Sequence, residues 1–375
     1  MITIDENFSI VKWEQMRSFL SECYRPDHIL CYKKFFEWQF QVKQNNERAS
    51  LLCAWEDDRL EGILGYLPIL THWGDVNNPV KGIWLLYWMV REGAPRGLGW
   101  LLAKRVQSLS PLLLTVNASK LGTSILRELS WSFLSRVPRY ICVLDKKQCV
   151  AMLSPQATEK DLDAMVFDND RKTFFNSEFI LNKDTYHPDW KLYPGLAFGT
   201  VRSLDYFKWR YLSHPVFNYR IAVRGEAQRP VVCIYRIEEA FGSYEARVGR
   251  IVDFFHPSDE QGKREGAALM GDVLQQLKEL GCAYVDFICS NKTYGWVITH
   301  LGGREESEDK QILPVRLAPI EQVLRHQNFA FRVFQGLRNP EADNLQITKS
   351  DIDGDHPVSV PTQTHHAIVD YQKAA

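Results

Sequence analysis

The sequence has no closely paired cysteines. Its 8 cysteines stand apart, without a single C-x-x-C. That spacing excludes a zinc knuckle and a thioredoxin-type redox pair. Cys233, inside Val231-Val232-Cys233-Ile234-Tyr235, typifies thiols that read as buried and reduced in an intracellular chain. An excess of one charge is missing too: 45 basic residues face 46 acidic ones, for a net charge of −1. No long-range field gathers polyanions, so a dedicated nucleic-acid partner is not expected. Long apolar runs are absent as well. The longest, Ile83 to Val90, is strand-length, far short of the ~20 residues that span a bilayer. The first residues, Met1 to Glu6, are acidic and lack an apolar core, so no signal peptide and a cytoplasmic location are expected. The chain has no G-x-x-x-x-G-K-[ST], and its G-x-G lacks the third glycine of a dinucleotide fingerprint. No pattern of metal ligands stands out.

What is present is enough to fold. A length of 375 residues suggests two domains, and 45% hydrophobic with 12% aromatic residues supplies packed cores. The chain also resembles itself. Phe36-Glu37-Trp38-Gln39-Phe40 matches Phe207-Lys208-Trp209-Arg210-Tyr211 at an offset of 171. Arg96-Gly97-Leu98-Gly99 matches Glu265-Gly266-Ala267-Ala268 at 169, and Leu129-Ser130-Trp131 matches Leu301-Gly302-Gly303 at 172. Three matches in one order at nearly one offset predict a repeat of the same module.

Each module reads as strand, tight turn, amphipathic helix, strand. In the first, Gly82–Val90 precedes a helix carrying Leu98, Leu101, Leu102, Val106 and Leu109 up to Pro111, and Leu112–Val116 follows. In the second, Arg250–Phe255 precedes the stripe Met270, Val273, Leu274, Leu277 and Leu280, stopped by Gly281, and Ala283–Ile288 follows. Stripes at i, i+3, i+4, i+7 mark half-buried helices, and a strand–helix–strand unit implies a parallel pair. The second helix is expected to be about one turn longer, from the drift in offset. Hairpin strands come before each unit, Ser50–Trp55 with Glu61–Leu70 and Tyr219–Val223 with Pro230–Ile237. The expected organisation is a mixed α/β chain with a first domain over 1–150, a connection over 151–194, a second domain over 195–340 and a polar tail over 341–375.

A glycine turn between strand and helix aims unpaired N–H groups, at the positive end of the helix, towards an anion. Gly97 and Gly99 have that context, and Arg96 adds charge. With its strand, Arg-Gly-x-Gly and leucine-rich helix, the unit resembles the pyrophosphate-binding motif of GNAT acyltransferases, Gln/Arg-x-x-Gly-x-Gly/Ala. Ala94 holds the Gln/Arg position here. In the second half Lys263, Gly266 and Ala268 fill the pattern, with the carboxylate of Glu265 inside it. The family's later Asn…Gly element is echoed by Asn291 and Gly302, and by Ser119 and Ser130. Ile298 and Leu126 stand where its tyrosine is expected.

The resemblance implies two tandem GNAT-like domains and acyl-CoA as co-substrate. It places the cofactor at Val90, Arg96, Gly97, Leu98, Gly99, Trp100 and Ser119, in the first half. Attack of an amine on a thioester needs a proton acceptor and positioning groups. Glu92, Tyr87, Asp253 and His256 are the candidates at the strand ends. Likeness to bacterial amino-sugar N-acyltransferases of surface-polysaccharide pathways implies a nucleotide-linked amino sugar as acceptor, with no membrane span and a homodimer left open. A more distant likeness to Fem-type aminoacyl transferases implies aminoacyl-tRNA instead. A non-catalytic CoA-binding protein is the remaining alternative.

Overall fold

The computed structural model describes residues 1–42, 47–167, 182–240, 244–317, 320–321, 327–334, 336–341, 344–351 and 355–360. The strand-length apolar runs form two mixed sheets. The first takes β1 (Ile2–Asp5), β2 (Leu51–Glu56), β3 (Arg59–Trp73), β4 (Val80–Val90), β5 (Leu112–Val116) and β6 (Ser132–Val137). The second takes β7 (Arg139–Val143), β9 (Arg220–Arg224), β10 (Val231–Ala240), β11 (Ala246–Phe255), β12 (Cys282–Ile288) and β13 (Arg304–Glu305). Two more strands, β8 (Phe198–Thr200) and β14 (Gln327–Val333), join the first sheet. β4 and β5 run parallel, as do β11 and β12, so each strand–helix–strand unit closes as the sequence implied.

The helices are α1 (Trp13–Cys23), α2 (Lys33–Gln39), α3 (Leu98–Val106), α4 (Lys120–Glu128), α5 (Lys146–Ala151), α6 (Glu159–Asp163), α7 (Leu204–Phe207), α8 (Glu260–Glu279) and α9 (Lys292–His300). No helix among the described residues is long and apolar enough to cross a membrane. Leu98, Leu102 and Val106 bury the inner face of α3 against β2–β5, and Leu269, Val273, Leu274 and Leu277 do the same for α8. Burying each such side chain stabilises the fold by roughly 1.5–3 kcal/mol.

The sheets exchange strands. β7 follows β6 directly, yet pairs with β12 in the second sheet. β14 comes back from the far end of the chain and inserts between β5 and β6. In the same way β7 lies between β12 and β13. Boundaries at 150 and 195 therefore cut across both sheets. A run such as Arg139–Val143 carries no local mark of which sheet it joins, because strand pairing is a non-local choice.

Two of the matched segments meet or mirror each other. Trp38 and Trp209 stack with ring centroids 5.3 Å apart. Each indole N–H donates to the other's carbonyl, at 2.8 and 3.0 Å. At the ends of α4 and α9, Ser130 and Gly302 both take positive φ, +60° and +93°. The next amides reach back five residues, Trp131 N to Leu126 O and Gly303 N to Ile298 O. That is one helix-stop motif used twice.

The third match does not hold. α8 starts at its cap Asp259, so Glu265 and Gly266 lie inside the helix and form no turn. Gly266 is small because a Cβ there would come within 2.8 Å of the His256 ring. α8 has 20 residues against 9 for α3, far more than the extra turn expected. The expected polar tail is also overturned over residues 345–351 and at Asp355. Leu345, Gln346, Ile347, Thr348, Lys349, Ser350, Asp351 and Asp355 are buried, and the segment runs between the two halves. Residues 361–375 lie outside the described residues.

Candidate functional site

The site begins where β4 and β5 part. They pair only over Ile83–Leu85 with Leu113–Thr115. On its other edge β4 stays paired with β3 as far as Val90 opposite Gly62. Beyond Leu85 the two parallel strands therefore open into a fork. A β-bulge sits in the fork, where Tyr87 and Trp88 face the single residue Leu64 of β3. Tyr87 takes a φ of +50°, a conformation that costs a bulky residue roughly 1–3 kcal/mol and that marks functional sites.

Helix ends frame the fork. α3 is capped by Gly97 at φ +83°, with no side-chain cap and nothing within 4 Å of where a Cβ would stand. The first-turn amides of a helix have no acceptor within it, so this end presents bare donors. On the other side Ser119 caps α4, its Oγ accepting from Gly122 N at 3.1 Å. The Trp88 indole lies between them, 3.6 Å from a Cβ position at Gly99 and 3.5 Å from one at Gly122.

The fork opens into a cleft of about 1010 Å³ lined by both halves. Its opposite wall carries ions. Arg250 donates to Asp286 at 2.5 Å and to Glu238 Oε2 at 2.8 Å, and Arg236 donates to the same Oε2 at 2.9 Å. Arg236 also grips Asp355 at 2.6 Å, and Lys349 Nζ lies 3.0 Å from Asp286. Burial alone would raise the Asp286 carboxyl, but Arg250, Lys349 and Arg139 hold it far below the usual range. Burial, helped by Arg250, pushes the Lys349 ammonium down to about 8 against the pull of Asp286.

Two histidines stand at the cleft. Burial, then His356 and Arg25, push His28 down to about 4, so it is neutral at pH 7. His356 Nδ1 lies 2.9 Å from the Pro357 carbonyl, which only accepts. In the neutral ring Nδ1 therefore carries the proton, and Nε2 is the lone-pair acceptor. The Tyr87 ring is 6.3 Å from that of His28 and 6.1 Å from that of His356.

Of the residues expected from the sequence, Tyr87, Val90, Gly99 and Ser119 line the cleft. Arg96 and Gly97 are exposed at the open end of α3, Leu98 is buried beneath it, and Trp100 is half-buried with Lys104 Nζ 4.8 Å from its ring. Glu92 is exposed on the turn after β4 and does not line the cleft. Asp253 is locked in the core, accepting from Arg202 at 2.6 Å and from Tyr211 at 3.1 Å. His256 is fully buried, its Nδ1 2.7 Å from the Pro257 carbonyl. Glu92, Asp253 and His256 thus lie away from the cleft, two buried under other elements and one facing solvent. His28, Glu238, Lys349 and His356 line the cleft instead. Three lie on a strand read only for its pattern or in the presumed tail, and no motif marks any of them.

The matching fork of the second half is filled. β11 and β12 pair as far as Ile251 with Phe287. Beyond them the chain itself enters: Ser290 N donates to Ile347 O at 2.9 Å, and Ser350 N to Val252 O at 3.1 Å. Thr348 forms a bridge with Cys289. The end of α8 is closed too. Asp259 Oδ1 accepts from Gly262 N at 2.8 Å, and Arg229 pairs with that carboxylate at 2.9 Å.

No protein-family model and no curated protein matches the sequence. Solved structures do match the fold. A GCN5-related N-acetyltransferase from Anabaena variabilis ATCC 29413 gives a TM-score of 0.52 at 12% identity, over 89% of this chain and 73% of that one. A probable N-acyltransferase from Enterococcus faecalis V583 gives 0.52 at 10%, over 89% and 73%. Saccharomyces cerevisiae N-myristoyltransferase with bound myristoyl-CoA gives 0.50 at 13%, over 92% and 82%. At these identities the likeness establishes the fold. The chain consists of two GNAT-like halves with mixed sheets flanked by helices.

Proposed function

We propose that the chain is an acyl-CoA-dependent N-acyltransferase, with the co-substrate held in the first-half fork and the amine acceptor reaching it across the cleft. The observation that carries this reading is the open, glycine-capped end of α3 beside an open fork. The residues present fit coenzyme A. The bare amides of Gly99 and Trp100 suit its pyrophosphate, Arg96 adds charge, and the absence of a Cβ at Gly97 leaves room. Val90, Trp88 and Ser119 line the path from there into the cleft.

The chemistry is attack of a neutral amine on the thioester carbonyl, with loss of the coenzyme thiolate. His356 Nε2 takes the proton from the attacking nitrogen, in the tautomer that Pro357 fixes. Tyr87, held by its bulge against Phe40, keeps His356 and the edge of the fork together. The acceptor in this reading is the amine of a small molecule, a nucleotide-linked amino sugar. The test is calorimetry with acetyl-CoA followed by turnover with glucosamine and its nucleotide-linked form. One acetyl-CoA per chain and release of free thiol with either amine is the expected result. Binding without turnover of any amine would favour the non-catalytic alternative.

A further inference from the structure

Across the cleft from the fork, one carboxylate is only half used by the network that holds it. Glu238, on β10, takes both of its arginine bonds on Oε2, from Arg250 Nε at 2.8 Å and Arg236 Nη2 at 2.9 Å. Among the described residues Oε1 receives no hydrogen bond. The Glu238 side chain keeps 19% exposure, whereas Arg236, Arg250, Lys349 and Asp355 beside it keep 6% or less. It lines the cleft. Burial alone would raise its carboxyl, but Arg250 and Arg236 hold it below the ordinary glutamate value, so it is anionic at neutral pH.

The cations of this patch are already matched. Arg236 lies on Asp355 and Glu238, Arg250 on Asp286 and Glu238, and Lys349 on Asp286. An anionic ligand arriving here would compete with partners in place at short range. The capacity left over is the lone pairs of Glu238 Oε1, which only accept and so call for a donor. A primary amine reaches a neutral solution as ammonium, which brings three N–H donors and no acceptor.

We propose that Glu238 anchors the ammonium of the acceptor, its Oε1 accepting from the N–H groups, while His356 takes the one proton that frees the nitrogen lone pair and the proton shed after attack goes to the departing thiolate, which leaves as free thiol. This rests on the acyl-transfer reading and specifies its second substrate: a small polar molecule recognised here by its amine, with any phosphate turned away from this patch. Glu238 is a binding residue in this scheme. The attacking nitrogen stays within the cleft, and no covalent step involves the carboxylate.

The test uses the full chain loaded with coenzyme A, with glucosamine as the amine probe and glucose as its amine-free counterpart. Saturation-transfer NMR reads binding to wild type, E238Q and E238D, and a thermal melt of each protein checks folding. Wild type is expected to bind glucosamine and not glucose. E238Q should lose glucosamine at least tenfold, and E238D should recover part of the loss. Acetyl-CoA affinity should stay within twofold in all three. Equal glucosamine binding by wild type and E238Q, equal binding of glucose, or no glucosamine binding to wild type would overturn the assignment. If wild type bound glucosamine through Glu238 but failed to bind acetyl-CoA, the acyl-transfer reading would fall and the amine anchor would stand.

Discussion

The two halves share a strand–helix–strand unit and dispose of its free backbone groups in opposite ways. In the first half the helix starts at Gly97 without a capping side chain, and the fork beside it is open. In the second the helix starts at Asp259, whose carboxylate satisfies the first turn, and residues 347–350 fill the fork. The hydrophobic skeleton is common to both. What differs is whether protein atoms satisfy those donors or leave them open. A fold can therefore be kept twice while an open helix end and fork are kept once.

The largest effect is expected in the ion network of the second half. Five residues before the cap of α9 stands Asp286, and the same distance before the cap of α4 stands Leu114. Leu114 lies in an apolar row with Trp84 and Phe331, whereas Asp286 is paired with Arg250 and bonded by Arg139 and Lys349. Asp286→Asn leaves three buried cations short of a partner and should cost about 3–5 kcal/mol, read as a lower urea midpoint. The folded carboxyl titrates far below its unfolded value of about 3.9, so its contribution is full above that pH and is lost as pH falls. The gap between wild type and variant should begin to narrow below about pH 4 and should close only as pH falls through the much lower folded value. A gap unchanged at pH 3 would mean that Asp286 is not the ionised centre of the wall.

Gly97→Glu is the sharpest test of the open half. A side chain at φ +83° is strained by about 1–2 kcal/mol, and its carboxylate falls in the phosphate seat. Acetyl-CoA binding should weaken on the order of 100-fold, or about 3 kcal/mol. Gly266 offers no neutral control for this. It is packed on His256, and Gly266→Glu is expected to unfold the second half. Loss of CoA binding without loss of the melting transition should be confined to Gly97→Glu.

The histidine and carboxylate candidates separate next. His356→Gln should lower kcat by roughly 10²–10⁴-fold with acetyl-CoA affinity unchanged. Glu92→Gln should leave kcat within twofold, because Glu92 is outside the cleft. In wild type kcat/KM should fall once pH passes the acceptor's own value, about 8 for an amine of the α-amino type, because the form that Glu238 holds is the ammonium. A normal kcat in His356→Gln would return the role of base to water or to another cleft residue.

Much of the skeleton was legible because it is local. The strands were apolar runs, the helix stops were Ser130 and Gly302, and the tryptophans of the matched segments were marked by their neighbours. The exchange of β7 and β14 was not, since pairing brings together residues far apart in sequence. The start of α8 was signalled by Pro257-Ser258-Asp259-Glu260, a good cap sequence, but aligning Gly266 with Gly97 drew attention past it. The site was harder still. Lys349 and Asp355 sit in a polar stretch that looks solvent-exposed, and they are buried only because Asp286 and Arg236 on distant strands neutralise them, while His356 beside them is half-buried. Glu92 and Asp253 show the converse. A carboxylate at a strand end signals a candidate, while its neighbours in space decide its role.

The smallest expected effect bears on which feature closes the second half. Asp259→Gly gives α8 the cap that α3 has, and replacing a capping Asp by Gly costs only a few tenths of a kcal/mol. Arg229 loses its partner, but both groups are at the surface, so little further change is expected. If the cap alone barred coenzyme A, the variant would bind a second molecule. The fork, however, still holds Ile347 and Ser350, bonded to Ser290 and Val252, and Thr348 remains bonded to Asp253. An opened helix end beside a filled fork offers a pyrophosphate seat with no room for the arm that follows. Calorimetry should therefore still count one acetyl-CoA per chain, while inorganic pyrophosphate alone gains a weak second site. Two acetyl-CoA per chain would show that the cap, and not the segment 347–350, divides the labour between the halves.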